Sequence, residues 1–336
     1  MQIDIALEPE YSATELAELG ALAERNGIAT MWVTNDTLAR DLFMLFSKVA
    51  DATQKIRLGV MAISPYEIHP LKLAASLFTL NEMSNGRASL VVGAGGAIRA
   101  HTRLDLSRRV RAVKECIEIL KSAGADHTLN FAGELYPVWN FRMPWAIETP
   151  PRVLTGANRE QMLRMSAHRS DGLHLSDFPL QLIPQTLQTV KEALDSHNRT
   201  PEGFEFNNFW AFHVKQDRAE AMLEARSRLV LRGILDPFWI DPFLSAAEVK
   251  QVRDNMRSFW TQLQKRDGVI ENVPEPLVDK LVENLTLTAS TQELDERIEV
   301  LHEFAAAGLT HITLGLHDDA ADAIRLIGER VVPAFN

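Results

Sequence analysis

The 336-residue chain is expected to fold as an α/β protein, a parallel (β/α)8 barrel with insertions. Three observations lead to that class: eight short apolar runs of strand type, helical periodicity after most of them, and short joins in between. Strand-then-helix units in succession require parallel strands with right-handed crossovers. The count of eight favours a closed barrel over an open doubly wound sheet, the alternative that strand order alone would distinguish. One barrel spanning residues 1–336 fits the length, since such barrels run to about 250 residues or more as one unit.

The elements follow in order. Residues 3–7 are an apolar run closed by Glu8-Pro9, and Ser12 then opens a stretch with Leu16, Leu19, Leu22 and Ala23 at helical spacing. Ser12 and Glu15 have capping-box spacing, in which each side chain accepts from an otherwise unsatisfied backbone donor. Residues 30–34 and 41–52, 56–60 and 70–84, and 88–92 and 104–122 make three further strand-helix pairs, the last helix carrying Val110, Val113, Ile117 and Leu120 on one face. Residues 123–151, with Tyr136, Trp139, Phe141 and Trp145, break the pattern and read as a long loop over the barrel mouth. Strand 152–155 leads to helix 158–169, strand 172–175 to helix 184–196, and strand 206–214 to a helix beginning near Asp217. Residues 231–287 read as a mainly helical insertion without a clear strand, after which helix 291–307, strand 311–316 and helix 320–332 complete the count.

Composition excludes several function classes. A net charge of −10 argues against a nucleic-acid partner, which needs a basic face to meet phosphates. Cys116 is the only cysteine, so neither an intramolecular disulfide nor a multi-cysteine metal site can form, and it is expected in a helix core. No run of roughly 18 apolar residues occurs and the start lacks a basic-then-apolar leader, so a cytoplasmic protein without a membrane span is expected. The histidines are scattered without metal-ligand spacing, and phosphate-loop, dinucleotide and nucleophile-elbow motifs are absent.

In barrels of this class the active site lies at the C-terminal ends of the strands. Those ends are Glu8, Thr34-Asn35-Asp36, residues 61–65, residues 93–96, Gly156-Ala157-Asn158, Ser176-Asp177, His213 and residues 315–317. The glycine run 93–96 lets backbone approach a planar or phosphate-bearing ligand, although a tight turn explains it equally. Gly156-Ala157-Asn158 precedes a helix whose free amides suit a phosphate; the plainer reading is a turn with Asn158 as N-cap. Asp36, His69 and Glu8 are the ionisable residues best placed for proton transfer because each follows a strand. Plainer readings make His69 a helix-start residue held by local hydrogen bonds and Asp36 a loop residue paired with Arg40. His213 and His317 either line the mouth or are solvated loop histidines.

With these residues in view, the chain resembles the bacterial-luciferase-like superfamily, and within it the deazaflavin-dependent branch of methylenetetrahydromethanopterin reductase-like proteins. The resemblance spans nearly the whole chain through WVTND (32–36) with Arg40-Asp41 downstream, KIRLGVMAISPYEIHP (55–70), LNEMSNGRASLVVGAGG (80–96), TGANREQMLRMSAHRSDGLHLS (155–176) and AIRLIGERVVPAF (323–335). It implies a barrel with an insertion, a cofactor ring at the mouth and hydride transfer on that ring. It further implies a non-proline cis peptide at Met61-Ala62 beneath the ring, close approach of Asn35, Gly95 and Gly96 to the cofactor, and backbone donors from Gly156, Ala157 and Asn158 to its phosphate. Two departures stand out: Asn35-Asp36 replaces the acidic residue and histidine common in the family, and Asn158-Arg159-Glu160 replaces a small residue, glycine and proline.

The first functional expectation is therefore a coenzyme F420-dependent oxidoreductase acting on a small organic or pterin-like substrate. An FMN-dependent monooxygenase and a non-catalytic cofactor-binding protein are the alternatives, the latter prompted by the missing histidine beside Asn35. The resemblance also implies a homodimer. The aromatics at 136–145, with Phe238, Trp239, Phe243 and Trp260, either shape an apolar substrate chamber or belong to core and interface.

Overall fold

Strand and helix alternate through the chain in the computed structural model, which describes residues 1–96, 98 and 101–335. The strands are β1 (Gln2–Leu7), β2 (Thr30–Thr34), β3 (Arg57–Ile63), β4 (Ala88–Val92), β5 (Leu129–Phe131), β6 (Val138–Phe141), β7 (Arg152–Gly156), β8 (Gly172–Ser176), β9 (Glu205–Lys215), β10 (Thr286–Ser290) and β11 (His311–Gly315). Helices α1 (Ala13–Arg25), α2 (Leu42–Ala52), α3 (Pro70–Met83), α4 (Arg109–Ser122), α5 (Glu160–Arg169), α6 (Ile183–Ser196) and α7 (Arg218–Arg228) follow the first strands. After them come α8 (Pro237–Ile240), α9 (Ala246–Asp254), α10 (Met256–Lys265), α11 (Glu275–Leu285), α12 (Leu294–Ala306) and α13 (Ala320–Leu326).

Eight strands close a parallel ring in the order β1-β2-β3-β4-β7-β8-β9-β11, with β11 returning to β1. The expected (β/α)8 barrel is thus the observed fold. Its strands are almost continuously buried, as parallel strands covered by helices must be. Local signals act where the sequence placed them: Ser12 and Glu15 form both capping-box bonds, at 3.3 and 2.8 Å. Cys116 is buried in α4, and α4 itself begins at Arg109 rather than at 104.

Two expectations are corrected. The excursion 123–151 is not only a loop, because β5 and β6 pair antiparallel as a hairpin. These strands are three and four residues long, too short to show a period of two. The segment 231–287 does reach a strand: α11 passes directly into β10, which pairs Thr286 with Ala211 through Ser290 with Lys215. β9 is eleven residues long, so its first half serves the ring while its second half extends beyond and accepts β10.

The barrel interior is layered. Its N-terminal half carries a polar network in which Trp32 Nε1 and Asn207 Nδ2 donate to Asp4 Oδ2 at 3.2 and 2.9 Å and Arg152 meets Glu205 at 3.2 Å. Nearer the C-terminal mouth, Ala6, Trp32, Met61, Val91 and Leu154 form an apolar cluster with Ala62 and Phe209 against it. Charge is kept low in the barrel, and an apolar shelf lies beneath the mouth.

Candidate active site at the barrel mouth

The shelf is built at the end of β3. Met61-Ala62 is a cis peptide, at the position the resemblance implied, and the β3–β4 register shifts between Met61 and Ile63. The Asn35 amide donates to Met61 O at 2.5 Å, and Asn35 Nδ2 reaches Ala62 O at 3.2 Å and Glu67 Oε1 at 3.1 Å. Glu67 Oε2 accepts from the Ser64 amide at 2.7 Å, closing a clamp across the β3 loop. Burial pushes the Glu67 carboxyl up, with the Ser64 and Asn35 hydrogen bonds opposing. Sequence reading did not single out Glu67, although Ser64 and Glu67 have the same serine-x-x-glutamate spacing as a capping box.

Glycines leave room beside this loop. A Cβ on Gly93 would sit 3.0 Å from Ala62 Cβ, and one on Gly95, where φ is +78°, would lie 2.9 Å from Ser64 Oγ. Gly95 needs glycine for both its backbone and its neighbour. A Cβ on Gly96 would meet no heavy atom of the described residues within 4 Å, so among them the loop there borders open space.

Glu8, Thr34, Asn35, Asp36, Arg40 and Arg228 line a groove of about 860 Å³ at the ends of β1 and β2. Arg228 Nη1 and His317 Nδ1 converge on Glu8 Oε1 at 2.7 and 2.8 Å. Asp36 is exposed and accepts from the Leu38 amide at 2.8 Å, while Arg40 donates to Glu10 O at 2.7 Å, so the expected Asp36–Arg40 pairing does not form. Glu8 and Asp36 thus share one groove. His69 is outside it, exposed as the N-cap of α3, with Nδ1 accepting from the Leu71 amide at 3.3 Å and its ring edge-on to Tyr136. Another cavity, of about 680 Å³, lies between α7 and α11; its walls pair their own charges, Arg226 with Glu275 and Asp279.

At the β7 end, Gly156 belongs to the strand and the Ala157 amide is already taken by His174 O at 3.2 Å. Asn158 is not the N-cap: its Oδ1 accepts from the Ser176 amide at 3.2 Å, and Arg159 precedes α5 without a side-chain cap. Free donors of this turn therefore lie on the first residues of α5. Arg159 turns to the insertion, pairing with Asp236 at 2.9 Å and lying 4.0 Å from the Phe238 ring centroid. Glu160 points outward and pairs with Arg164.

The insertion docks on the β8 end. Arg232 meets Asp177 at 2.8 Å, Trp239 Nε1 donates to Ser176 O at 3.0 Å, and Phe178 packs edge-on against Phe238 and Trp239. These two aromatics therefore brace the mouth, whereas Trp139, Trp145 and Trp260 are exposed rather than walls of a chamber. His213 and His317 are buried and stacked, not solvated loop residues.

Among described residues no helix is long and apolar enough to cross a membrane. Over 343 residues the chain is 24% identical to 5,10-methylenetetrahydromethanopterin reductase of Archaeoglobus fulgidus, covering 99% of each. It is 20% identical over 341 residues to F420-dependent glucose-6-phosphate dehydrogenase of Amycolatopsis mediterranei, covering 96% of this chain and 95% of the relative. The solved coenzyme F420-dependent tetrahydromethanopterin reductase of Methanopyrus kandleri superposes with a TM-score of 0.82 at 18% identity, covering 100% of both chains, and shares the fold. A family model described as luciferase-like monooxygenase matches residues 2–308, and the chain belongs to that family.

Proposed function

We propose that the chain is a coenzyme F420-dependent oxidoreductase that moves hydride between the deazaflavin and a small organic or pterin-like substrate. One arrangement carries this reading: the apolar shelf of Met61, Ala62, Trp32 and Phe209, bordered by the glycine run and by a groove lined by the carboxylates Glu8, Glu10 and Asp36. A flat ring suits the shelf, and the open space at Gly96 suits its close approach. The names of relatives matched over nearly the whole chain, a reductase and an F420-dependent dehydrogenase, support the same chemistry.

In this reading Asn35, Met61, Ala62, Gly95 and Gly96 hold the ring. The free amides at the start of α5, reached through the turn Gly156-Ala157-Asn158, take the phosphate. The bound deazaflavin supplies the hydride donor or acceptor. Glu8 gives or takes the accompanying proton, since it lies in the groove with two donors already oriented on it. Asp36 is the second candidate at the groove's rim, and His69, engaged as a cap, is the third.

Absorbance titration with F420 and with FMN tests the reading, followed by anaerobic turnover of the reduced F420 form. Tight F420 binding and oxygen-independent turnover are expected. The family description favours one alternative, an FMN-dependent monooxygenase, and oxygen uptake with reduced FMN but no binding of F420 would replace our reading with it. The same proposal has the enzyme working as a cytoplasmic homodimer, an assembly that light scattering checks.

A further inference from the structure

Behind Glu8 lie two histidines for which hydride transfer has no stated use. His213 on β9 and His317 just beyond β11 are 1% and 8% exposed, and their rings stack with centroids 5.1 Å and planes 16° apart. His317 Nδ1 faces Glu8 Oε1 at 2.8 Å, and His213 Nδ1 faces Glu224 Oε1 at 2.9 Å. Neither Nε2 has a hydrogen-bond partner among the described residues. A ring whose Nδ1 meets a carboxylate carries its proton there, so both rings are Nδ1–H donors with a bare Nε2.

The surroundings keep them neutral. Burial first, then His213, Arg228 and Arg232, drives the His317 imidazole well below its ordinary range, against the opposing charge of Glu224. Burial likewise lowers His213, against the pull of Glu224. Lys215 holds the other Glu224 oxygen at 2.6 Å, and Asp318 meets Arg228 at 3.4 Å. His317 therefore supplies Glu8 with a donor without adding a further cation beside Arg228, Arg232 and Lys215. Both donors to Glu8 fall on Oε1, and among the described residues no donor falls on Oε2.

We propose that His317 is a positioning residue for Glu8. Its neutral Nδ1–H, joined by Arg228 and braced by the His213–Glu224 pair, anchors Oε1 so that Oε2 is the oxygen exchanging a proton with substrate in the groove. The inference rests on Glu8 as proton carrier, as proposed above.

The test compares His317→Leu with His317→Asn, because the asparagine amide nitrogen reaches about where Nδ1 sits and keeps the donor. His317→Leu is expected to lower kcat by about tenfold or more, part of the roughly 10²–10⁴-fold that a positioned acid or base provides, with KM changed by less than about threefold. Its acidic pH–rate limb should move to higher pH, since the carboxylate has lost a donor, and His317→Asn should recover most of both effects. An unchanged rate and pH profile in His317→Leu, or an asparagine variant as impaired as the leucine one, overturns the proposal. Nitrogen-15 imidazole spectra of the unmutated protein give a readout independent of folding of either variant and of turnover. An Nδ1–H signal for His317 persisting from about pH 6 to 8 and shifted by Glu8→Gln is expected; an Nε2–H or doubly protonated ring overturns the proposal. Absent F420 binding by the unmutated protein would instead count against the functional reading, while the imidazole spectrum still decides the His317–Glu8 contact.

Discussion

Replacing Arg232 by methionine should reveal how strongly the insertion is pinned to the barrel mouth. Arg232 and Asp177 meet at 2.8 Å with both side chains 5% exposed. The same carboxylate accepts from the Ser176 hydroxyl at 2.9 Å and the Gly233 amide at 3.2 Å. Arg232→Met strands the carboxylate with only those neutral donors, and losing one partner of a buried pair costs about 3–5 kcal/mol. The two remaining hydrogen bonds place the expectation near the lower end, about 3 kcal/mol. Asp177 has φ of 59°, a conformation asparagine tolerates, so Asp177→Asn removes the charge without adding backbone strain. Removing both charges should cost less than the sum of the singles, by at least about 1.5 kcal/mol, because neither charge is then stranded. Urea unfolding of the four proteins measures this cycle. Trp239, hydrogen-bonded to Ser176 O, reports docking of the insertion by its fluorescence. Additive singles, or a loss below about 1 kcal/mol for Arg232→Met, would refute the assignment of this pair as the pin.

Three further outcomes are expected. Burial, with the Glu205 charge behind it, pushes the Asp4 carboxyl up to about 8 from 3.8, so the folded state keeps a proton that the unfolded chain releases. Its contribution to stability is present below the unfolded value and is lost as pH rises towards about 8. Asp4→Asn should therefore gain on the native protein between about pH 5 and 8.5 in urea midpoint, and a native protein that gains instead contradicts this. Gly96→Ala should leave stability within about 0.5 kcal/mol yet weaken F420 binding by titration, whereas Gly95→Ala should lose about 1 kcal/mol or more; undiminished binding by Gly96→Ala would place the ring elsewhere. His69→Ala should lower stability by about 1 kcal/mol through its cap while Glu8→Gln abolishes most turnover; the reverse pattern in thermal melts and rates would make His69 the proton carrier.

The legible parts of the fold are those governed by short-range physics. Apolar runs marked every strand of the ring to within a few residues, because a buried parallel strand must be apolar along its length. Ser12, Asp41, Pro70 and Asp217 marked helix starts, since a cap is chosen by donors two or three residues away. Where the chain lacks those cues the reading failed. β10 follows α11 with no glycine or proline between, and its reason for being extended is the overhang of β9, some 70 residues earlier in sequence. Asn158 looked like a cap in sequence, but the Ser176 amide from the neighbouring strand claims its side chain.

The sequence by itself determined that eight strand-helix units alternate, which favours a barrel, and that Glu8, Asn35, Asp36, Met61 and the glycine run stand at strand ends, which share a face in a parallel sheet. Closure was decided by the pairing of β11 with β1. Only the tertiary structure decided which of them meet. Glu8 gathers Arg228 and His317 from 220 and 309 positions away, Asn35 gathers Glu67, and Asp177 is claimed by Arg232. Those pairings depend on distances across the ring, to which local periodicity and capping are blind.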